Sequence, residues 1–231
     1  MARYALTDIH GCARTLKAMV EEQLKLQKTD ELYILGDLVN KGPDSKGVID
    51  FILHLQAQRY QVLCLRGNHD QMLLKAAKNG PKDLRLTQTE KELVLQSFAI
   101  ADFEHLPKKY VRFLKELPYY FELPDYYLVH AGFDFKQDDI FRDKDAMLNI
   151  RGYEVDWSKI SNKKLLHGHT PTALHSIKKG ISHKDGRLNL DAGCVYYRNA
   201  AYGNLVALDL DTQALYVQPN VDRPYAVARK S

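Results

Sequence analysis

Cysteine is scarce in this 231-residue chain: Cys12, Cys64 and Cys194 are an odd number, widely spaced, with no zinc-type pair. That excludes a disulfide-stapled scaffold, and each adjoins a strand end or core run where a reduced, half-buried thiol belongs. Long apolar runs are missing as well. Nothing approaches a membrane span. Met1-Ala2-Arg3-Tyr4-Ala5-Leu6 enters a strand directly, without an apolar leader. A cytoplasmic protein with no membrane partner is expected. Charge of one sign is nearly balanced, leaving a net +4. This suits an anionic substrate but falls far short of the basic stripe of a nucleic-acid binder, so no specific nucleic-acid binding is expected. There is no internal repeat, low-complexity tract or flexible linker, and only the last few residues read as a loose tail. The one tryptophan, Trp157, lies between Asp156 and Ser158 and reads as a packing anchor.

What remains is ordinary globular material, 45% hydrophobic and 27% charged, long for one domain and short for two. A single domain over residues 1–231 with an insertion is expected. The first seventy residues alternate strand and helix. Strands at Arg3–Leu6, Leu32–Leu35 and Gln61–Leu65 enclose helices near residues 13–26 and from Ser45 onward, a βαβαβ unit with right-handed crossovers. Residues 71–117 change to helical periodicity and read as an inserted cap. Strands return at Tyr126–Val129 and Lys164–Leu166. The C-terminal third is mostly β and predicts a second, mixed sheet packed on the first.

Five apolar strands each end in a polar cluster: Asp8-Ile9-His10-Gly11, Gly36-Asp37, Gly67-Asn68-His69-Asp70, His130-Ala131-Gly132 and His167-Gly168-His169. In open α/β sheets ligands bind beyond the carboxyl ends of the strands, so these ends converge on one place. A lone Asp there is usually a helix cap and a lone His a packed side chain. Six such donors, each after a strand, are better explained as ligands of two divalent metal ions. Oxygen and imidazole donors together suit manganese, with iron or zinc as alternatives, rather than a calcium cage. Asp8 and His10 can reach one ion from one loop, Asp37 can bridge, Asn68 supplies a neutral oxygen, and His130 and His169 complete the second ion.

These clusters, with Leu38-Val39-Asn40-Lys41-Gly42, Arg66, Asn149-Ile150-Arg151 and Asp191-Ala192-Gly193-Cys194-Val195, resemble the calcineurin-like metallophosphoesterases. Within this family they resemble the bacterial and phage phosphoprotein phosphatases. The resemblance covers nearly the whole chain and is weakest in the cap. It implies an α/β fold, a four-layer αββα sandwich of two mixed sheets with flanking helices. It also implies metal roles for Asp8, His10, Asp37, Asn68, His130 and His169, and a metal-bridging hydroxide as nucleophile. By the same resemblance Arg66 and Arg151 grip phosphate through guanidinium forks, and His69 is the general acid. The resemblance also implies that Asn68 contacts substrate.

Four positions depart from the pattern. Thr7 replaces a usual glycine and Asp70 a usual glutamate. Asn40-Lys41 stands where protein phosphatases carry Asp-Arg. Asn40 can still orient His69 but brings no charge, so His69 should hold its proton less firmly, while Lys41 keeps a positive charge toward substrate. A neutral residue before a basic one is similar to diadenosine tetraphosphatases, whose leaving phosphates need less protonation than an alkoxide. The first expectation is a phosphomonoesterase acting on phosphorylated Ser, Thr or Tyr in proteins or on a small phosphate ester. The alternative is a dinucleoside polyphosphate hydrolase, and a third is a metal-holding interaction module whose catalysis has decayed. His167 reads as a packing or supporting residue.

Overall fold

Five strands form one sheet and four another in the computed structural model, which describes residues 1–225. The loose tail expected at the C-terminus falls on residues 226–231, outside the described residues. The first half follows the alternation of the sequence: β1 (Arg3–Leu6), α1 (Ala13–Ala18), β2 (Glu31–Ile34), α2 (Ser45–Ala57) and β3 (Gln61–Cys64). Three helices follow, α3 (Asn68–Asn79), α4 (Gln88–Phe98) and α5 (Lys108–Glu116). Then come β4 (Tyr120–Glu122), β5 (Tyr126–Val129), α6 (Lys144–Asn149), β6 (Lys164–His167), α7 (Leu174–Ser182) and β7 (Arg187–Asn189). The hairpin β8 (Asn204–Asp209) and β9 (Leu215–Pro219) closes the described chain.

The first sheet runs β3-β2-β1-β8-β9 and the second β4-β5-β6-β7. Strands β1, β2 and β3 are parallel, with Leu6 opposite Ile34 and Ile34 opposite Cys64, so all three finish level. Strands β5 and β6 are also parallel, pairing Leu128 with Leu166. Side-chain alternation sorts the strands between layers. Leu6, Ile34 and Val62 meet Leu16, Met19, Ile49 and Ile52 under the helices. Ala5, Tyr33 and Leu35 meet Tyr126, Leu128 and Leu166 between the sheets. Tyr127, Val129 and Leu165 meet Phe133, Met147 and Ile160 on the far side. The result is the αββα sandwich.

Two expectations are corrected in detail. The C-terminal strands do not build the second sheet; β8 pairs antiparallel with β1 and β9 with β8, and only β7 goes to the second sheet. The reason is burial on both faces of β8. Leu205 and Ala207 enter the helical core while Val206 and Leu208 enter the core between the sheets, a demand that an interior strand meets. The helix expected over residues 13–26 narrows to α1, and Met19–Gln23 opens into a wider π-type turn in which Leu24 N donates to Met19 O.

The helical block after β3 shares its core with α1 and α2, through Leu73, Val94, Phe98, Tyr110 and Leu114. Its ends are capped in sequence-legible ways: Thr87 and Glu90 exchange hydrogen bonds as a capping box before α4. Among the described residues no helix is long and apolar enough to cross a membrane.

Candidate metal centre and its cavity

The loops that leave β1, β2, β3, β5 and β6 meet at one edge of the sandwich. Their backbone is unusual. Asp8, His10, Asp37, Asn40, Lys41 and His169 all sit at positive φ, between 49° and 71°, a region that non-glycine residues avoid. Each such residue costs on the order of 1 kcal/mol, and such strain concentrates where surrounding structure holds a site open. Two glycines make the convergence possible. A Cβ on Gly67 would strike the backbone and carboxylate of Asp37, and one on Gly168 would strike the carboxylate of Asp8 and the side chain of Thr7.

Asp37 lies at the centre. Its carboxylate is common to two compact groups of donors, His10–Asp37–His69 and Asp37–His130–His169. His10 Nε2 is 3.5 Å from Asp37 Oδ2 and 3.8 Å from Asp8 Oδ1. His130 Nε2 is 3.5 Å from Asp37 Oδ1 and 3.0 Å from Asn68 Oδ1, and His169 Nδ1 is also 3.0 Å from Asn68 Oδ1. All six donors expected from the sequence are therefore together, and His69 stands among them. Asp8 Oδ2 is anchored by the Thr7 hydroxyl and by the His169 backbone N–H. Thr7, where the family pattern carries glycine, thus holds Asp8 in place.

The chemistry of this donor set calls for cations. His130 Nδ1 donates to Leu35 O at 2.9 Å, which turns the lone pair of Nε2 toward the oxygens of Asp37 and Asn68. Acceptors facing acceptors in a buried site repel unless something positive lies between them. Among the described residues Asp8 Oδ1 and His169 Nε2 are buried with no hydrogen-bond partner. Burial raises the Asp37 carboxyl to about 6, reinforced by the charge of Asp8 and opposed by His130 and Lys41. Burial pushes His10 and His69 well below the usual imidazole range, and His169 down to about 2. Neutral imidazoles around crowded carboxylates are what divalent ions need as ligands, so the residues present fit such ions.

Several neighbours take places that periodicity alone does not reveal. Asp70 accepts from Leu38 N and Gly67 N, so it ties two site loops together and stands outside the two donor groups. Asp191, buried beside Asp8, is raised well above the carboxylate range, first by burial and then by that charge. His167 is buried and lowered to about 4 by burial, with Nδ1 donating to Gly168 O, outside the donor groups.

The residues assigned to substrate divide. His69 donates its backbone N–H to Asp37, and its ring stands edge-on to His10 at 4.8 Å. Asn40 Nδ2 donates to His69 O at 3.0 Å and lies 3.4 Å from His69 Nδ1, so the amide does meet this histidine. Lys41 Nζ donates to His10 Nε2 at 3.0 Å and faces the Tyr196 ring. Arg151 Nη1 donates to Thr170 Oγ1, and the exposed side chain borders a cavity of about 860 Å³ together with Asn68, His69 and His169. Arg66 is not brought there. Its Nη1 donates to Gln71 and Tyr119, its Nη2 to Lys115 O, and its plane lies over the Tyr119 ring. Thr170, Gln71 and Tyr119 carry no sequence signal for these roles, because a single polar partner has no period.

A calcineurin-like phosphoesterase family model matches residues 1–205. A relative named symmetrical bis(5'-nucleosyl)-tetraphosphatase, from Pseudomonas fluorescens, is 34% identical over 132 residues, 57% of this chain and 42% of its own length. The chain thus spans less than half the length of that curated relative. A solved structure titled as a putative diadenosine tetraphosphatase superposes with a TM-score of 0.61 at 22% identity, covering 94% of this chain and 93% of its own. A serine/threonine phosphatase from Saccharomyces cerevisiae with similarity to human phosphatase PP5 gives 0.66 at 15% identity, covering 98% and 82%. At these identities the two superpositions speak for the fold alone.

Proposed function

The chain belongs to the calcineurin-like phosphoesterase family, and on that premise we propose that it is a metal-dependent phosphoric ester hydrolase whose substrates are dinucleoside polyphosphates. This reverses the order of the sequence-based expectations, which put phosphoproteins first. The observation that carries it is Asn40 against His69: an uncharged amide where a carboxylate would hold the imidazole charged. The ring is depressed well below its usual range by burial and by Lys41, so the site is poor at storing a proton for an alkoxide. A leaving phosphate needs little protonation. The 34% identical relative, named for tetraphosphatase activity, supports the same reading.

Asp8, His10, Asp37, Asn68, His130 and His169 would hold two divalent ions, with manganese the ion to load first. When bound, the ions supply charge neutralisation on the phosphoryl oxygens and acidify water at the site. The protein's own part is to position and to exclude. Arg151, steadied by Thr170, offers its remaining N–H groups to a phosphate at the cavity mouth. His69 faces the same cavity with one ring nitrogen directed at Asn40, which fixes its orientation. Arg66 acts at one remove: by joining Gln71, Tyr119 and the Lys115 carbonyl it sets the start of α3, and with it Asn68 and His69.

Manganese-loaded protein offered diadenosine tetraphosphate and a phosphoserine peptide together should favour the dinucleotide by about tenfold or more in kcat/KM. Clear preference for the peptide overturns the proposal. His69→Asn should lower kcat less on diadenosine tetraphosphate, whose leaving phosphate needs little protonation, than on a phosphoserine peptide, while metal content stays at two per chain. A protein with no turnover of any phosphate ester, and indifferent to this substitution, would be a metal-holding interaction module instead.

A further inference from the structure

The cavity that starts at the donor cluster extends well past it, and its far wall is basic. On α3 the residues bordering it are Asn68, Gln71, Met72 and Lys75, spaced i, i+3, i+4 and i+7, so one helical face runs from the metal end outward. At 1.5 Å rise per residue, Lys75 stands about 10 Å along the axis from Asn68. The segment between α3 and α4 adds Lys82 and Arg85 to the same cavity. Among the described lining residues Asp145 is the one acidic side chain, against Lys75, Lys82, Arg85 and Arg151.

Among the described residues these three distal cations have no counterion. Two other lysines of the helical layer, Lys46 and Lys109, pair with Asp50. Lys75, Lys82 and Arg85 are exposed, and none has an ion pair or hydrogen bond with a described side chain. Three like charges directed at one cavity repel each other and raise its positive potential, which favours a multiply charged anion. An anion that reached both the donor cluster and this trio would be extended and charged along its length. A single phosphate monoester meets the first requirement and not the second.

We propose that Lys75, Lys82 and Arg85 form a distal anion subsite that grips the non-reacting phosphates of a polyphosphate chain and thereby selects substrates by chain length. This deepens the dinucleoside polyphosphate reading and rests on it for the reacting end. The phosphate to be cleaved lies at the donor cluster with Arg151, and the remaining phosphates follow the α3 face toward Lys75. Met72 and Leu148 give the cavity an apolar stretch between the charged ends.

The test compares wild type with the triple variant Lys75→Ala, Lys82→Ala, Arg85→Ala, all surface positions whose truncation removes no core contact. Hydrolysis of p-nitrophenyl phosphate by the manganese-loaded protein serves as the readout, with inorganic tripolyphosphate and orthophosphate as competing inhibitors. The inhibition constant for tripolyphosphate should rise about tenfold or more in the variant, and that for orthophosphate by about twofold at most. The KM for diadenosine tetraphosphate should rise in parallel with its kcat little changed. Equal weakening of both inhibitors, or none, overturns the subsite. So does a rise confined to the KM of a phosphopeptide, which would give the trio to a protein substrate. If wild type leaves diadenosine tetraphosphate intact while tripolyphosphate inhibition still depends on the trio, the proposed function fails and the subsite stands.

Discussion

Asn40 presents a neutral amide to His69, and the single atom that separates it from aspartate carries a sharp expectation. In Asn40→Asp a negative charge 3–4 Å from the ring, on the scale of the present 3.4 Å contact, would favour the charged imidazole. The pKa of His69 then rises, so the alkaline limb of the pH–rate profile moves to higher pH. The gain belongs to substrates with poor leaving groups. The ratio of kcat/KM for a phosphoserine peptide to that for diadenosine tetraphosphate should increase by about tenfold, read from parallel assays of the two proteins. An unchanged ratio would detach Asn40 from substrate choice. At this scale the donors were legible in the sequence, because Asp8, His10, Asp37, Asn68, His130 and His169 each follow an apolar strand. The direction of Arg66 was not. Two residues before Asn68 it looks aimed at substrate, yet Gln71 on α3, Tyr119 and the carbonyl of Lys115 capture it, and those partners are fixed only by how the helices pack.

Between elements, Asp50 joins the helical block to the first half of the fold through charge and hydrogen bonds. From α2 its carboxylate accepts from Lys46 on the same helix and from Lys109 and Tyr110 on α5. Burial pushes this carboxyl up, but the bonds from Lys46, Tyr110 and Lys109 outweigh it and hold the group below its ordinary value. A carboxyl depressed in the folded state stabilises above its unfolded pKa and loses that contribution as pH falls through the folded one. Asp50→Asn should cost about 1 kcal/mol at neutral pH, allowing for partial exposure. The difference from wild type should begin to shrink as the pH drops below the ordinary carboxyl value of 3.8 and close only below the depressed folded value. Urea unfolding at a series of pH values measures both. A gap that persists in acid would mean that packing, not charge, is lost. The cavity-facing cations of this block escaped the sequence reading for a plain reason. A lysine on a helix looks the same whether it faces water or a ligand, and only the stripe through Asn68, Gln71, Met72 and Lys75 separates the two.

Across the whole molecule the parallel strands were readable from their apolar runs, whereas the return of β8 to the edge of β1 was not. Pairing partners leave no periodic mark, and a strand buried on both faces can enter either sheet until its neighbours are known. The convergence that results has a thermodynamic signature. Each ion that binds only the folded protein stabilises it by mass action, about 2.7 kcal/mol at a free concentration one hundred times Kd. For a chain of this size that corresponds to a rise in Tm of roughly 5–10 °C, and a chelator should remove it. Asp37→Asn, which alters the carboxylate common to both donor groups, should abolish most of the chelator's effect. A Tm indifferent to chelation would contradict the metal assignment.

The donors do not all belong to one sheet. Asp8, His10, Asp37, Asn68 and His69 hang from β1, β2 and β3, whereas His130 and His169 hang from β5 and β6. Ions held between them would act as rivets across the sandwich. Loaded protein should open as one cooperative unit, and stripped protein as two, with the amides of β5 and β6 exchanging with solvent by a route of their own.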